Sequence, residues 1–171
     1  EVYRTIARVA GGDLTVLIEG ESGAGKGRVA RALHDHSRRA AGAYITQSLA
    51  GADSSRLERE LTDNLKLAEG GTLFVEDVDD LSPEAQARLV ALLQANERPN
   101  VRLIAASQRN LANLTQQGGF RQDLYYRLNV VEIELPPLRQ RVEDIGDLAR
   151  AFLIRARREG LPEKALDASA I

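Results

Sequence analysis

Apolar positions along the chain fall into two kinds of run. Leu14 to Ile18, Tyr44 to Gln47, Thr72 to Val75, Val101 to Ala106 and Val130 to Ile133 are short stretches rich in β-branched or other apolar side chains, the composition of strands. Between them apolar residues recur at helical spacing. Val2, Ile6 and Val9 form one stripe; Val29, Ala32, Leu33 and His36 form another, opposed by Arg28, Arg31, Asp35 and Arg38; Ala85, Leu89, Leu92 and Leu93 form a third. The third has a marked start at Ser82-Pro83-Glu84: a capping hydroxyl, a proline at the first helical position and an acid near the positive end of the helix dipole. Pro136-Pro137 stops the fifth strand, and Ile145, Leu148, Phe152, Leu153 and Ala156 line one side of a helix over Glu143 to Glu159. Strands alternating with helices predict βαβ units. The expected fold is therefore α/β, a five-stranded, mainly parallel sheet flanked by helices over residues 1–137, followed by the start of a helical lobe over 138–171.

Composition narrows the chemistry. With 171 residues, 43% hydrophobic and 28% charged, the chain is long enough for one globular core and too apolar for disorder. Its 23 Lys plus Arg against 25 Asp plus Glu leave a formal charge of -2, without the basic excess of a module that holds DNA by itself. The absence of Cys removes disulfides, thiolate nucleophiles and zinc-thiolate sites together. His34 and His36, the two histidines, are two apart and face different sides of a helix, where a metal pair would want a spacing of four. Solvated positions are expected for both, and no metal held by side chains alone. The longest apolar run, Leu89 to Leu93, is far short of the ~18 residues of a membrane span, so a soluble, cytoplasmic protein is expected. Glu1 is not Met and a helix is already under way there, so the expectation is a segment of a longer polypeptide.

The most specific motif follows the first strand. Gly20-Glu21-Ser22-Gly23-Ala24-Gly25-Lys26-Gly27 fits the phosphate-loop pattern except at its last position, where the usual Ser or Thr that touches Mg²⁺ is replaced by Gly27. Glycines here let the backbone adopt angles forbidden to other residues, so that successive amides point at phosphate oxygens and Lys26 reaches the β- and γ-phosphates. Without the hydroxyl, holding Mg²⁺ falls to other groups. Glu76 and Asp77, delivered by the third strand, are the candidates: one carboxylate to orient Mg²⁺ through water, the other to position an attacking water. Ser107 ends the fourth strand at the same carboxyl edge, where open α/β sheets bind ligands.

On these residues the chain resembles the central AAA+ domain of bacterial enhancer-binding proteins, the NtrC-like activators that work with sigma-54 RNA polymerase. The likeness runs from Val2 to about Leu153. Gly20 to Lys26 with Val29 to His34 is similar to the family's Walker A loop and helix, and Gly70-Gly-Thr-Leu-Phe-Val75 to the approach to its Walker B. Gly119-Phe-Arg-Gln-Asp-Leu-Tyr-Tyr-Arg-Leu-Asn-Val130 and Leu135-Pro-Pro-Leu-Arg-Gln-Arg-Val-Glu-Asp-Ile145 carry it further. The resemblance implies ATP or ADP with Mg²⁺ as cofactor, Arg121 and Arg127 as arginine fingers acting on a neighbouring subunit, Ser107 in place of the sensor I threonine, and a helical lid after residue 137. It also implies a hexamer or heptamer ring, with a dimer as the inactive form, RNA polymerase as partner, and a response regulator of a two-component system whose receiver and DNA-binding domains lie outside this segment. A finger of this kind contributes about 10³ to 10⁵ in rate, or roughly 4 to 7 kcal/mol of barrier.

Departures from the family pattern bear on activity. The Gly-Ala-Phe-Thr-Gly-Ala loop that grips sigma-54 is missing: the twenty residues from Ala50 to Glu69 read largely as one helix. The loop before the fourth strand is cut back to Asn96-Glu-Arg-Pro-Asn100. The Asp-Glu order of Walker B reads Glu76-Asp77, Ser48 stands where an Asn partners the second acid, and Gly27 stands where the family has Glu. A displacement near 1 Å can cost on the order of 10²-fold in rate. The expectation is an ATP-binding regulator module with at most weak ATPase activity that does not remodel sigma-54 polymerase; a sigma-54 activator ATPase and a small-molecule phosphotransferase on the same scaffold stay open as alternatives.

Overall fold

The computed structural model describes residues 2–51, 54–94 and 100–160. The side chain of Val2, most of the shortened loop Asn96–Asn100 and the end of the helical lobe after residue 160 lie outside the described residues. The chain divides into two compact units, Glu1–Leu135 and Pro136–Ile171, so the division falls at Pro136 where Leu138 was expected.

In the first unit, five parallel strands stand in the order β2-β3-β4-β1-β5: β1 Val16–Glu19, β2 Tyr44–Ser48, β3 Thr72–Glu76, β4 Arg102–Ser107 and β5 Val131–Glu134. Helices α1 Val2–Ala10, α2 Lys26–Asp35, α3 Ser54–Leu67, α4 Pro83–Gln94, α5 Leu111–Gln116 and α6 Gln122–Leu128 connect them. Because side chains alternate across a strand, β1, β3 and β4 each feed two cores. Val16, Ile18, Phe74, Ile104, Ala106 and Ile133 join Ile6, Ala10, Ala30 and Leu33 of α1 and α2. Leu17, Leu73, Val75 and Ala105 join Leu57, Leu61, Leu89, Leu111, Leu124 and Leu128 from α3 to α6. The connection from β2 to β3 is carried by α3. Tight packing before β3 explains Gly71, where a Cβ would lie 2.0 Å from the Ala43 carbonyl oxygen. The α4 start is as predicted: Ser82 Oγ accepts from the Ala85 amide at 3.2 Å.

The second unit holds a 3-10 turn, Leu138–Gln140, and α7, Asp144–Arg158. Asp144 and Asp147 in the first turn and Arg155, Arg157 and Arg158 in the last complement the helix dipole. Ile145, Leu148, Leu153 and Ala156 are half-buried, while Phe152, on the predicted stripe, is exposed. No helix among the described residues is long and apolar enough to cross a membrane.

One predicted face is corrected. The buried stripe of α2 is Ala30, Leu33 and His34, and only His36 is solvated. His34 is 2% exposed, shares a 2.9 Å hydrogen bond between Nδ1 and Thr72 Oγ1, and lies against the Tyr44 ring at 5.1 Å. A threonine hydroxyl on the neighbouring strand offsets the desolvation of one ring nitrogen, which composition alone did not reveal. Arg102 solves a related problem. It is 1% exposed at the start of β4, and its Nη1 donates to Ala10 O at 3.0 Å and Leu33 O at 3.4 Å, while Nη2 donates to Val9 O at 3.0 Å. One guanidinium thus caps the carbonyl ends of α1 and α2.

Two outcomes follow for stability. Arg102→Leu leaves those carbonyls without a donor and is expected to cost about 2–4 kcal/mol in urea unfolding; a loss below about 1 kcal/mol would refute the capping role. Burial lowers the His34 pKa, with Asp35 opposing and Arg31 and Arg102 reinforcing the shift. The unfolded imidazole takes up its proton near 6.5 and the folded one only at lower pH, so this contribution is complete above about 6.5 and is lost as pH falls below it. His34→Gln should therefore unfold with a flatter pH dependence than wild type between about pH 7 and pH 5.5; parallel curves would exclude the effect.

Candidate functional site

The register of the sheet brings the predicted residues to one edge. β4 lies between β1 and β3, with Glu19 paired to Ser107 and Ser48 paired to Glu76, so the carboxyl ends of four strands open side by side. The Gly20 loop leaves β1 there. Gly23 (φ 78°) and Gly25 (φ 101°) occupy the left-handed region that disfavours other residues. Gly20 donates its amide to Ser107 O at 3.2 Å, and a Cβ on it would meet Leu135 O at 2.9 Å. Ala24 is buried, while Glu21, Ser22 and Gly23 are exposed. α2 begins at Lys26, so the amides of Lys26 and Gly27 have no carbonyl within the helix to pair with, while the Arg28 amide donates to Gly25 O at 3.0 Å.

Lys26 folds back over this cradle. Its Nζ donates to Gly20 O at 2.6 Å and to Glu21 O at 3.0 Å. Burial lowers its pKa, against the attraction of Asp77, Asp79 and Glu76. Beside it, Glu76 is pushed up by burial and by the Asp77 charge, with Lys26 pulling the other way. Gly27 lies in the same corner: a Cβ there would stand 3.8 Å from Glu76 Oε1, ordinary contact distance. Asp77 has φ 58°, the one non-glycine residue with positive φ among the described residues. Its carboxylate is held from two sides, Oδ2 accepting from Ser48 Oγ at 3.0 Å and Oδ1 from Gln108 Nε2 at 3.0 Å.

Ser107 is placed at this edge but turned inward. It is fully buried, and its hydroxyl donates to Arg109 O at 2.5 Å and accepts from Arg109 N at 3.2 Å. The residue that reaches Asp77 from β4 is its neighbour Gln108. Among the described residues, no hydrogen bond or ion pair draws Arg121 or Arg127 into this corner. Arg121, immediately before α6, forms a two-pronged pair with Asp123, Nε to Oδ1 at 3.0 Å and Nη2 to Oδ2 at 2.8 Å. Arg127, on α6, is half-buried, and its Nε is buried without a hydrogen-bond partner.

Two further acids build the edge and escaped the sequence reading. Asp79, 8% exposed, accepts from Gln108 N at 3.1 Å and from Arg109 Nε at 3.0 Å, and its carbonyl accepts from Arg109 Nη2. Burial would raise its pKa, but the hydrogen bonds from Arg109, Gln108 and Ser107 outweigh that and hold the carboxyl below its ordinary value. The turn after β3 is thereby clasped to the loop after β4. Glu19, 5% exposed, accepts from the Leu111 amide at 2.8 Å and from Asn110 Nδ2 at 2.7 Å, tying the root of the Gly20 loop to the start of α5. The signal for both was a run of polar residues at the end of an apolar strand, Gln108-Arg109-Asn110, opposite acids on neighbouring strands.

Comparison with known proteins fits this arrangement. The model of the sigma-54 interaction domain matches residues 1–138. The chain is 43% identical, over 196 residues, to the DNA-binding transcriptional regulator NtrC of Bradyrhizobium sp. (strain RP501 Parasponia), covering 100% of this chain and 41% of that protein. It thus spans about two fifths of the length of such relatives. NtrX from Brucella abortus, solved in complex with ADP, superposes at TM-score 0.86 and 33% identity, covering 98% of this chain and 43% of that one. The P-loop NTPase domain of a sigma-54 transport activator from E. coli superposes at TM-score 0.62 and 30% identity, covering 80% of this chain and 92% of that one. With phosphate-loop glycines, paired acids and five-stranded parallel sheet all in register, the chain belongs to the sigma-54 interaction domain family and is an NtrC-like AAA+ domain.

Proposed function

We propose that this domain binds ATP or ADP with Mg²⁺ in the Gly20–Gly27 loop, assembles into a ring through nucleotide held at subunit interfaces, and acts in a transcriptional regulator without remodelling sigma-54 polymerase. The observation that carries the reading is Lys26, a cation whose described partners are two loop carbonyls, beside Glu76 and Asp77 at the mouth of a glycine cradle. Support comes from NtrX of Brucella abortus, solved with ADP and with ATP.

The residues fit such a ligand. The left-handed glycines turn backbone amides outward, and Lys26 can exchange its two carbonyl bonds for phosphate oxygens at little cost in its own hydrogen bonding. Glu76, next to the hydroxyl-free Gly27, is the group to hold Mg²⁺ through water. The bound nucleotide would supply the phosphoanhydride to be cleaved. Asp77, fixed by Ser48 and Gln108, keeps free lone pairs on both oxygens to orient an attacking water. Its side chain is one methylene shorter than a glutamate, so turnover is expected to be slow. Ser107 supports the loop that carries Gln108. Arg127, with a buried unpaired Nε, and Arg121, with an exposed guanidinium, are the groups to reach a neighbouring subunit's nucleotide.

The reading on sigma-54 rests on what joins β2 to β3. That connection is built on α3, and the Gly-Ala-Phe-Thr-Gly-Ala sequence is absent. Alignment with the Bradyrhizobium relative runs over 196 residues against 171 here, so that relative carries extra residues somewhere along the aligned stretch. In the whole protein, contacts with DNA and RNA polymerase fall to other surfaces or domains. Family membership itself favours a second reading, a sigma-54 activator that grips polymerase by another loop.

Calorimetry with ATP and Mg²⁺ should give binding to the wild type and a loss of at least about 100-fold for Lys26→Ala, which removes the loop's cation. Turnover per subunit should rise with protein concentration, and Arg121→Ala or Arg127→Ala should lower it by about 10³-fold or more while sparing binding; concentration-independent turnover would refute the arrangement across subunits. Open-complex formation by sigma-54 polymerase on a family promoter separates the two readings. No ATP-dependent stimulation above background is expected, and robust stimulation would establish the second reading instead.

A further inference from the structure

Gln86 lies among apolar residues with its side chain 2% exposed. Ala85, Leu89 and Val90 beside it on α4 are buried, and a leucine or methionine would fill the same space. An amide in such surroundings is costly unless its polar atoms are paired. They are. Nε2 donates to Leu81 O at 3.0 Å and to Gly119 O at 3.2 Å, and Oε1 accepts from the Arg121 amide at 2.8 Å. All three partners are backbone groups, and they belong to two segments that Gln86 of α4 joins. Leu81 closes the turn that follows Glu76 and Asp77; Gly119 and Arg121 lead into α6.

The Arg121 backbone is fixed from every other side as well. Phe120, Leu124 and Leu128, at 3%, 0% and 0% exposure, sink into the core, and Arg121 O accepts from Tyr125 N at 3.0 Å. Arg121, the N-cap residue of α6, makes no side-chain cap bond of its own, and Gln86 anchors its amide. The Arg121 guanidinium differs. It is 47% exposed and paired only with a 44% exposed Asp123 among its described contacts, an ion pair of small net strength that can be exchanged for another anion. A rigid root with a loosely held tip is the combination suited to a cation that has to reach a group outside its own subunit.

We propose that Gln86 is a positioning residue for Arg121, tying the backbone of that arginine to the turn behind the Glu76-Asp77 pair and so setting the direction in which the guanidinium is presented to a neighbouring copy. The inference rests on the arrangement across subunits proposed above. It adds a residue that touches neither nucleotide nor neighbour and acts through Arg121 alone.

The test is a double-mutant cycle on the whole chain, comparing wild type, Gln86→Met, Arg121→Ala and the double variant. ATP-dependent self-association is read by sedimentation velocity, turnover at saturating protein by phosphate release, and ATP affinity of the dissociated subunit by calorimetry. Gln86→Met should raise the association midpoint about tenfold and lower turnover on the order of 10- to 100-fold, with ATP affinity unchanged within about twofold. In the Arg121→Ala background it should add nothing further to either, since the group it positions is gone. Equal losses in both backgrounds would mean that Gln86 serves packing only, and would overturn this inference while leaving the arrangement across subunits standing. If Arg121→Ala itself matches wild type in association and turnover, both readings fall. Hydrogen exchange on the wild type needs no variant. The Arg121 amide should exchange as slowly as the core amides of α4, in the presence and absence of ATP, and exchange at the rate of a free loop would overturn the proposal.

Discussion

Helices cover both faces of the parallel sheet, and that constraint governs where charge can sit. A side chain from the middle of β1, β3 or β4 meets apolar neighbours whichever way it points, as Leu17 and Ile18 do on opposite faces. Only the strand ends are left for polar groups. Because all five strands run the same way, their carboxyl ends lie along one edge, and the Gly20 loop, Glu76, Asp77, Ser107 and Gln108 are neighbours for that reason. Arg102 serves the opposite edge, where it ties the ends of α1 and α2 to β4.

Within the edge, charges are ordered by their partners. Asp79 is nearly as buried as a core residue, yet Arg109 and two neighbouring groups hold it ionised, so it clasps the turn after β3 to the loop after β4. Glu19 does the same between β1 and α5, although burial raises its pKa. These two buried acids form a frame, and the half-buried Glu76 and Asp77 stand in front of it. The frame is fully paired. Glu76 and Lys26 carry the opposed shifts of groups taken partly out of water, Glu76 upward and Lys26 downward, although Lys26 donates to two loop carbonyls.

The cradle and the arginines proposed to serve a neighbouring copy stand on separate elements of this chain. The cradle and acids stand on β1 and β3, and the arginines on the segment leading into and through α6. The connection between β2 and β3, by contrast, is carried by α3. In the function proposed above, nucleotide chemistry and polymerase contact draw on separate surface elements, so one could be lost without the other.

The fold was legible because its cause is local. Alternating apolar runs and helical stripes, with Ser82-Pro83 and Pro136-Pro137 as punctuation, placed all five strands and α4 to within a residue or two. The cradle was legible because left-handed glycines before a helix have few other uses. Sequence spacing could not decide which face of α2 is buried, since His34 goes inside only where Thr72 is opposite. Nor could it show that Ser107 turns away and Gln108 reaches Asp77, or that Gln86 leaves the core pattern to hold Arg121. The His34, Gln108 and Gln86 contacts each depend on a partner 31 or more residues away along the chain, and only the tertiary structure brings such partners within hydrogen-bonding distance.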